Sequence, residues 1–472
     1  MKARFMPMEI LFKIFRANYR VVSCKVWSIM RLPVARSLKP WFARSGLVRG
    51  ITLLVGGTAI SQALAILASP ILTRIYTPSD FGVLQVFIAL MSVIVVTAAG
   101  RYEVAILLPE DEQSAIDILA LATLCVCATT LITAVIVLIC QYYWILPLSV
   151  LVLQRYLWLL PISVFGAGIY QVLNNWALRR ENYMQIAVSK FTQVGAQLVT
   201  QLGVGLLAQG PFGLLLGDAL GRTSGSTRFI RDLFRDYTSL LRSIRVFRMM
   251  KLAVRYKEYP LVSMWGGLVN TSGLALPALF LAQYYGAKYT GWFALVTRVL
   301  GIPAGLIGLN IAQVYASEAG RLSRTDPKRL MHIFLKTTRH MLYLGIAPCV
   351  MFMIFAPWLF QLVFGTVWRE AGEYARYLAL MFFVGFVNSP VTWTLNILER
   401  QRAQMAWDIS SLVVTVLAMV LPHLLGYGSR VTIIAYSIAM TIMFVIHWLQ
   451  SYYGIGRRVS QAALTLANMA KA

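Results

Sequence analysis

Twelve apolar stretches follow one another along the chain, at about 50–72, 81–100, 115–139, 150–172, 184–207, 211–230, 260–282, 290–316, 337–359, 377–398, 405–425 and 431–453. At about 1.5 Å of helical rise per residue, stretches of about 20 residues span the ~30 Å hydrocarbon core of a bilayer. Inside that core backbone polar groups must be satisfied within the segment or a closed barrel, so stretches of this length predict helices. The expected fold is an all-α polytopic membrane protein with twelve transmembrane helices in two six-helix bundles around a central cavity. The sixth stretch departs from the pattern, because Asp218, Arg222 and the polar run at 223–227 make its second half wet or buried in protein.

The segments between the stretches divide the chain. Residues 1–47 form a basic arm, in which Ile10, Leu11, Ile14 and Phe15 recur at helical spacing with Lys13, Arg16 and Arg20 between them. That is the pattern of an interfacial helix on an anionic leaflet, interrupted further on by Pro33 and Pro40. Lys and Arg recur throughout the arm, which excludes a cleavable signal peptide. The stretches at 48–230 form the first bundle and those at 258–455 the second, with a basic linker at 231–257 and a tail at 456–472. Within the linker region Arg242, Arg245, Arg248 and Lys251 recur at every third residue beside Ile244 and Phe247, predicting one helix lying on the membrane. A weak repeat relates the bundles: Leu72, Tyr76 and Gly82 return 209 residues later as Leu281, Tyr285 and Gly291. A parallel repeat of this kind places a substrate cavity between the halves.

Composition closes off the alternatives. With 58% apolar and 13% charged residues, the chain is not a water-soluble fold. Its net charge of +25 does not point to nucleic acid, because the basic residues flank apolar stretches as cytoplasmic loops require. Counted with both termini in the cytoplasm, and with Lys190, Arg222, Arg228 and Arg339 toward the inner ends of their stretches taken as inner, 36 of the 43 Lys and Arg fall inside, five fall outside (Arg74, Lys288, Arg369, Arg376 and Arg430), and Arg155 and Arg298 lie within stretches. The five cysteines have no zinc or redox spacing, the four histidines form no metal motif, and no phosphate-binding loop of the G-x-x-x-x-G-K-[ST] type occurs. Short outer connections leave little platform for extracytoplasmic catalysis, so the chain reads as a non-enzyme.

Ionisable residues within apolar sequence carry the functional signal. Arg298 lies eight residues into its stretch, about 12 Å deep, where an arginine costs roughly 2.5–3.5 kcal/mol on insertion scales. A cation there needs a wet cavity or a partner, and Asp218 is the candidate ion pair. Arg155 lies six residues into the fourth stretch and can snorkel to the surface, and Arg74 sits at the outer end of the first. Arg101 and Glu103 end the second stretch on the inner side, as a local pair or a gate. Asp218, Asp408 and Glu373 are candidate carboxylates for a coupling ion, or else capped or interfacial groups. No other cofactor is expected.

Three segments carry a family likeness. ILTRIYTPSDFG from Ile71 to Gly82, GRYEVAILLPEDE from Gly100 to Glu112 and ALRRENY from Ala177 to Tyr183 resemble the polysaccharide transport family. That family comprises O-antigen and exopolysaccharide flippases of the multidrug/oligosaccharidyl-lipid/polysaccharide (MOP) superfamily, which includes the MATE exporters. The resemblance covers about 48–455 and implies a flippase moving undecaprenyl-diphosphate-linked oligosaccharide across the bacterial inner membrane. Membrane lipids and other polysaccharide-assembly proteins are the further partners it suggests. Its residue-level carry-over is limited to Arg74, Arg101 and Glu103; Arg298 and Arg155 suit its cationic cavity by position. A proton or sodium gradient is the implied drive, with Asp218, Glu103 or Asp408 as its site. Two alternatives remain: a cation-coupled multidrug exporter, which should carry mainly carboxylates in its cavity, and a glycan polymerase or ligase, which should carry a long outer loop with clustered Arg and His.

Overall fold

The computed structural model describes residues 46–143, 151 and 153–469, and the basic arm lies outside these but for its last two positions. Residues 54–472 cluster as one compact unit. All regular structure among the described residues is helical. The first half comprises α1 (Gly46–Ile75), α2 (Pro78–Ala98), α3 (Glu112–Tyr143), α4 (Leu159–Arg179), α5 (Tyr183–Leu207) and α6 (Phe212–Ser224). The linker follows as α7 (Ser226–Asp236), a short helix at Thr238–Arg242, and α8 (Val246–Arg255). The second half comprises α9 (Met264–Tyr284), α10 (Ala287–Leu300), α11 (Leu309–Thr325), α12 (Pro327–Phe364), α13 (Arg369–Asn388), α14 (Gln401–Leu424) and α15 (Ser429–Met469).

The twelve apolar stretches each correspond to a helix, with α10 and α11 continuous through a π turn at Ala304–Gly308. Among the described residues nine helical segments are long and apolar enough to cross a membrane, and the other three of the twelve are α4, α5 and α6. Asn174, Asn175, Lys190 and Gln193 dilute the first two, and α6 has 13 residues, about 20 Å of rise. Leu124, Leu131, Ile132, Val135, Ile136, Leu138 and Ile139 of α3 are 46–66% exposed. An unbroken apolar face of that size belongs against lipid. The bundle end bearing the linker is the basic face, and the opposite end is the far face.

Two placements differ from the sequence reading. Arg155 lies on an exposed 3-10 turn, Gln154–Tyr156, and α4 begins only at Leu159. Pro161 sits in the first turn of α4, the part of a helix that tolerates a residue without an N–H. The linker helix is also broken: one short helix ends at Arg242, Arg245 is extended, and α8 starts at Val246. Arg248 turns inward to pair with Asp117 of α3 at 2.7 Å, where the carboxylate is fully buried. Met249 and Leu252 are buried on the same side of α8.

The halves meet along α2, α9 and α10 in a shared core that includes the fully buried Leu72, Phe87, Leu281 and Leu295. At the far face their backbones come into direct contact. A Cβ on Gly82 would stand 1.8 Å from the Ala287 carbonyl oxygen, and one on Gly291 would stand 1.7 Å from the Pro78 carbonyl oxygen. Ala287 follows Pro78 by the same 209 residues that separate Gly291 from Gly82. The contact is therefore its own image, as a two-fold axis along the bundle requires. Glycine is needed at both positions because only a residue without Cβ permits this approach.

Candidate functional site

One face of α1 gathers two cations. Thr58, Gln62 and Ala65 stand four and three residues apart, so they share a face of the helix. Lys190 of α5 donates from Nζ to Thr58 Oγ1 at 2.9 Å. Arg298 of α10 donates from Nη2 to the Ala65 carbonyl oxygen, also at 2.9 Å. Between them the Gln62 carboxamide lies over Gly305, about 3.5 Å from where a Cβ would be. The seven residues from Thr58 to Ala65 separate the two anchoring points by about 10 Å along the helix, with Lys190 nearer the basic face.

Neither cation has a carboxylate within ion-pair distance among the described residues. Both residues are intermediate in exposure. An arginine has five N–H donors, and a single carbonyl leaves most of them to be met by water or by an anion. In low-dielectric surroundings an anionic oxygen meets them best, through short charge-assisted hydrogen bonds.

The other candidates lie elsewhere. Asp218 pairs with Arg222 one turn on, Nε to Oδ2 at 2.8 Å, so it is engaged within α6. Arg74 is exposed in the last turn of α1, nine residues beyond Ala65 and near Gly365. Asp408 accepts from Gln404 in α14 at 3.2 Å, and Glu373 pairs with Arg376 at 3.1 Å. Lys190, one of the 36 inner cations of the charge pattern, stands seven residues inside α5. Its position within an apolar stretch is the signal that identifies it.

Both ends of the seam between the halves are furnished. At the far face Trp368, 1% exposed, donates from Nε1 to the Thr73 carbonyl oxygen at 3.2 Å. Its ring meets Phe81 edge-on at 5.1 Å. Toward the basic face Gly100 and Arg101 both take positive φ, 59° and 61°, which turns the chain sharply after α2. The Arg101 guanidinium then lies on Gly267 of α9, where a Cβ would stand 2.4 Å from Nη2. Glu103 is 1% exposed, accepts from Gln171 Nε2 at 2.8 Å and stands 3.8 Å from Arg101 Nη1; its Oε2 has no hydrogen-bond partner among the described residues.

Burial holds the Glu103 carboxyl above its ordinary range despite the opposing pull of its own backbone, Arg101 and Gln171. The folded chain binds this proton more tightly than the unfolded one, so ionisation subtracts stability above the folded value. The penalty is relieved as pH falls through that value and vanishes below the unfolded one. Glu103→Gln is accordingly expected to melt at a higher temperature than the native chain at pH 8 and at the same temperature at pH 4, as read by thermal unfolding in detergent.

Comparison with known proteins places the fold. The fold is similar to that of a multidrug-resistance MATE transporter of the MOP superfamily in an inward-facing conformation, with a TM-score of 0.69, 15% identity, and coverage of 84% of this chain and 95% of that one. It is similar also to the lipid II flippase MurJ in an inward closed conformation, with a TM-score of 0.65, 12% identity, and coverage of 88% and 91%. A MOP-superfamily transporter from Pyrococcus furiosus aligns with a TM-score of 0.57, 14% identity, and coverage of 87% and 96%. No curated protein matches the chain. The architecture is that of the MOP transporters. Residues 71–373 match the family described as polysaccharide biosynthesis protein, and the chain belongs to that family.

Proposed function

We propose that the protein is a flippase for lipid-linked oligosaccharide, carrying undecaprenyl-diphosphate-linked repeat units across the bacterial inner membrane by alternating access. The observation that carries this reading is the pair of cations without carboxylate partners, Lys190 and Arg298, on one face of α1. A diphosphate-sugar head group is anionic and cannot enter hydrocarbon alone, whereas its polyprenyl tail can stay in lipid. Fixed cations replace its hydration. The basic face is taken as cytoplasmic, following the bias of cytoplasmic loops toward Lys and Arg. The two anchoring points lie further apart than a diphosphate spans, so Lys190 receives the head group first and Arg298 holds it deeper. The far-face contacts, Gly82 against Gly291 and Trp368 on Thr73, then open to release it. A proton or sodium ion is the proposed drive, with Asp408 and Glu103 as the two of the four candidate carboxylates not engaged in short ion pairs.

A multidrug exporter is the second reading. The cationic lane disfavours it, because cationic drugs require carboxylates. The two are separated in proteoliposomes holding the purified protein. The expected result is movement of a fluorescent undecaprenyl-diphosphate oligosaccharide between leaflets at rates above protein-free vesicles. Transport of a cationic dye in its place would overturn the flippase assignment.

A further inference from the structure

We propose that the second half carries a separate site for one anionic phospholipid of the basic-face leaflet, in a groove between the short helix Thr394–Ile397, the start of α14 and α15. The groove holds about 330 Å³ and is lined by Leu395, Arg400, Ala403, Ile446, Leu449, Gln450, Tyr453 and Arg457. All of these belong to the second half, and none to α1, α2, α9 or α10, which form the seam with the first. The groove is thus distinct from the cationic lane on α1.

Its chemistry changes along its length. On α15 Ile446, Leu449, Tyr453 and Arg457 recur at three- and four-residue steps, so they form one stripe running toward the basic face. The stripe is apolar at Ile446 and Leu449, amphipathic at Tyr453 and cationic at Arg457. The eleven steps from Ile446 to Arg457 cover about 16 Å, close to the ~15 Å depth of one leaflet's hydrocarbon. Tyr453 is 62% exposed, as an aromatic at the headgroup level would be.

Arg400 supplies the second cation. It precedes α14, its backbone N–H donates to the Leu395 carbonyl oxygen at 2.8 Å, and its side chain crosses Gly454 of α15. A Cβ on Gly454 would stand 3.0 Å from Leu398 Cδ1, 3.8 Å from Arg400 Cδ and 3.9 Å from Nη1, so the Arg400 side chain lies within van der Waals reach of α15, the helix that carries Arg457, and both arginines line the groove. Among the described residues neither arginine has an ion-pair partner, although Glu399 is adjacent in sequence. Two guanidinium groups without carboxylates at the wet end of an apolar groove match a phosphodiester above acyl chains. A zwitterionic lipid would bring its own cation against theirs, which selects for anionic headgroups.

The test uses the full-length chain purified in detergent, saturated with phosphatidylglycerol or phosphatidylcholine, and read by native mass spectrometry. The native chain is expected to retain one phosphatidylglycerol and to release phosphatidylcholine. Arg400→Gln with Arg457→Gln is expected to weaken phosphatidylglycerol retention about tenfold or more, the loss of two charge-assisted contacts. Arg400→Lys with Arg457→Lys keeps the charge and most of the binding. Leu449→Trp, which fills the groove and leaves both arginines, is expected to lose it as well. Equal retention of the two lipids by the native chain, or undiminished retention by both the Gln pair and Leu449→Trp, would overturn the site. So would displacement of phosphatidylglycerol by equimolar undecaprenyl diphosphate, since the groove would then belong to the transport substrate. The readout is binding, so it stands apart from whether the protein transports lipid-linked oligosaccharide.

Discussion

Export of lipid-linked glycan is expected to fall about 10- to 150-fold in Arg298→Ala, the equivalent of losing one strong charge-assisted contact of about 1.5–3 kcal/mol. The reason is positional. Arg298 stands in the last turn of α10, just before the π turn into α11, with one hydrogen bond to a backbone carbonyl and, among the described residues, no carboxylate within ion-pair distance. Removing the side chain relieves a cost of insertion, so protein levels in the membrane should hold steady while function drops. Arg298→Lys keeps the charge but not the fork of donors, and should fall between the two. The measurement is the amount of lipid-linked repeat units accumulating in the inner leaflet of a deletion strain complemented with each variant. Lys190→Ala extends the test: if the cations act in succession, its effect and that of Arg298→Ala should add, whereas simultaneous grip would give a coupling energy in the double variant. Full export by Arg298→Ala would remove the lane on α1 from the mechanism.

The second large effect concerns the glycine pair. Gly82→Ala or Gly291→Ala inserts a methyl group where the opposing carbonyl oxygen is already under 2 Å away. The backbones must separate, at a cost of about 1–3 kcal/mol for overpacking, and the far face is where they part. Each variant should therefore populate a state open at the far face about 5- to 150-fold more than the native chain does. A cysteine replacing Thr73, whose carbonyl receives Trp368, reports this opening in a background lacking the native cysteines. Faster labelling by a membrane-impermeant maleimide in both glycine variants is the expected outcome. Unchanged labelling with normal transport would show that this contact does not hold the halves together.

The helices were readable because a bilayer imposes length and apolarity on whatever crosses it. The sixth stretch was legible as irregular, but the pairing was not: Asp218, the candidate partner of Arg298, pairs instead with Arg222 four residues on in α6. What sequence does not encode locally is the other side of each contact. Arg298 was visible as an intramembrane cation, but its partner is the carbonyl of Ala65, a group every residue carries. Lys190 escaped notice because charge counting assigns a cation near the start of a stretch to the neighbouring loop. The linker misled for a related reason: a three-residue period continues across the break at Ser243 to Arg245, and only the buried Asp117 reveals why Arg248 turns inward.

That buried pair has a mechanical corollary. Asp117 belongs to the first half, and its grip on Arg248, with Met249 and Leu252 packed beside it, makes α8 a passenger of that half. Any swing of the second half must then be taken up downstream, between Tyr256 and the π turn at Tyr259–Ser263 that carries Pro260 into α9. The tether between the bundles is long in residues but short in slack. Lengthening it by a few glycines after Tyr256 should free the rocking motion, whereas the same insertion before Arg245 should pass unnoticed.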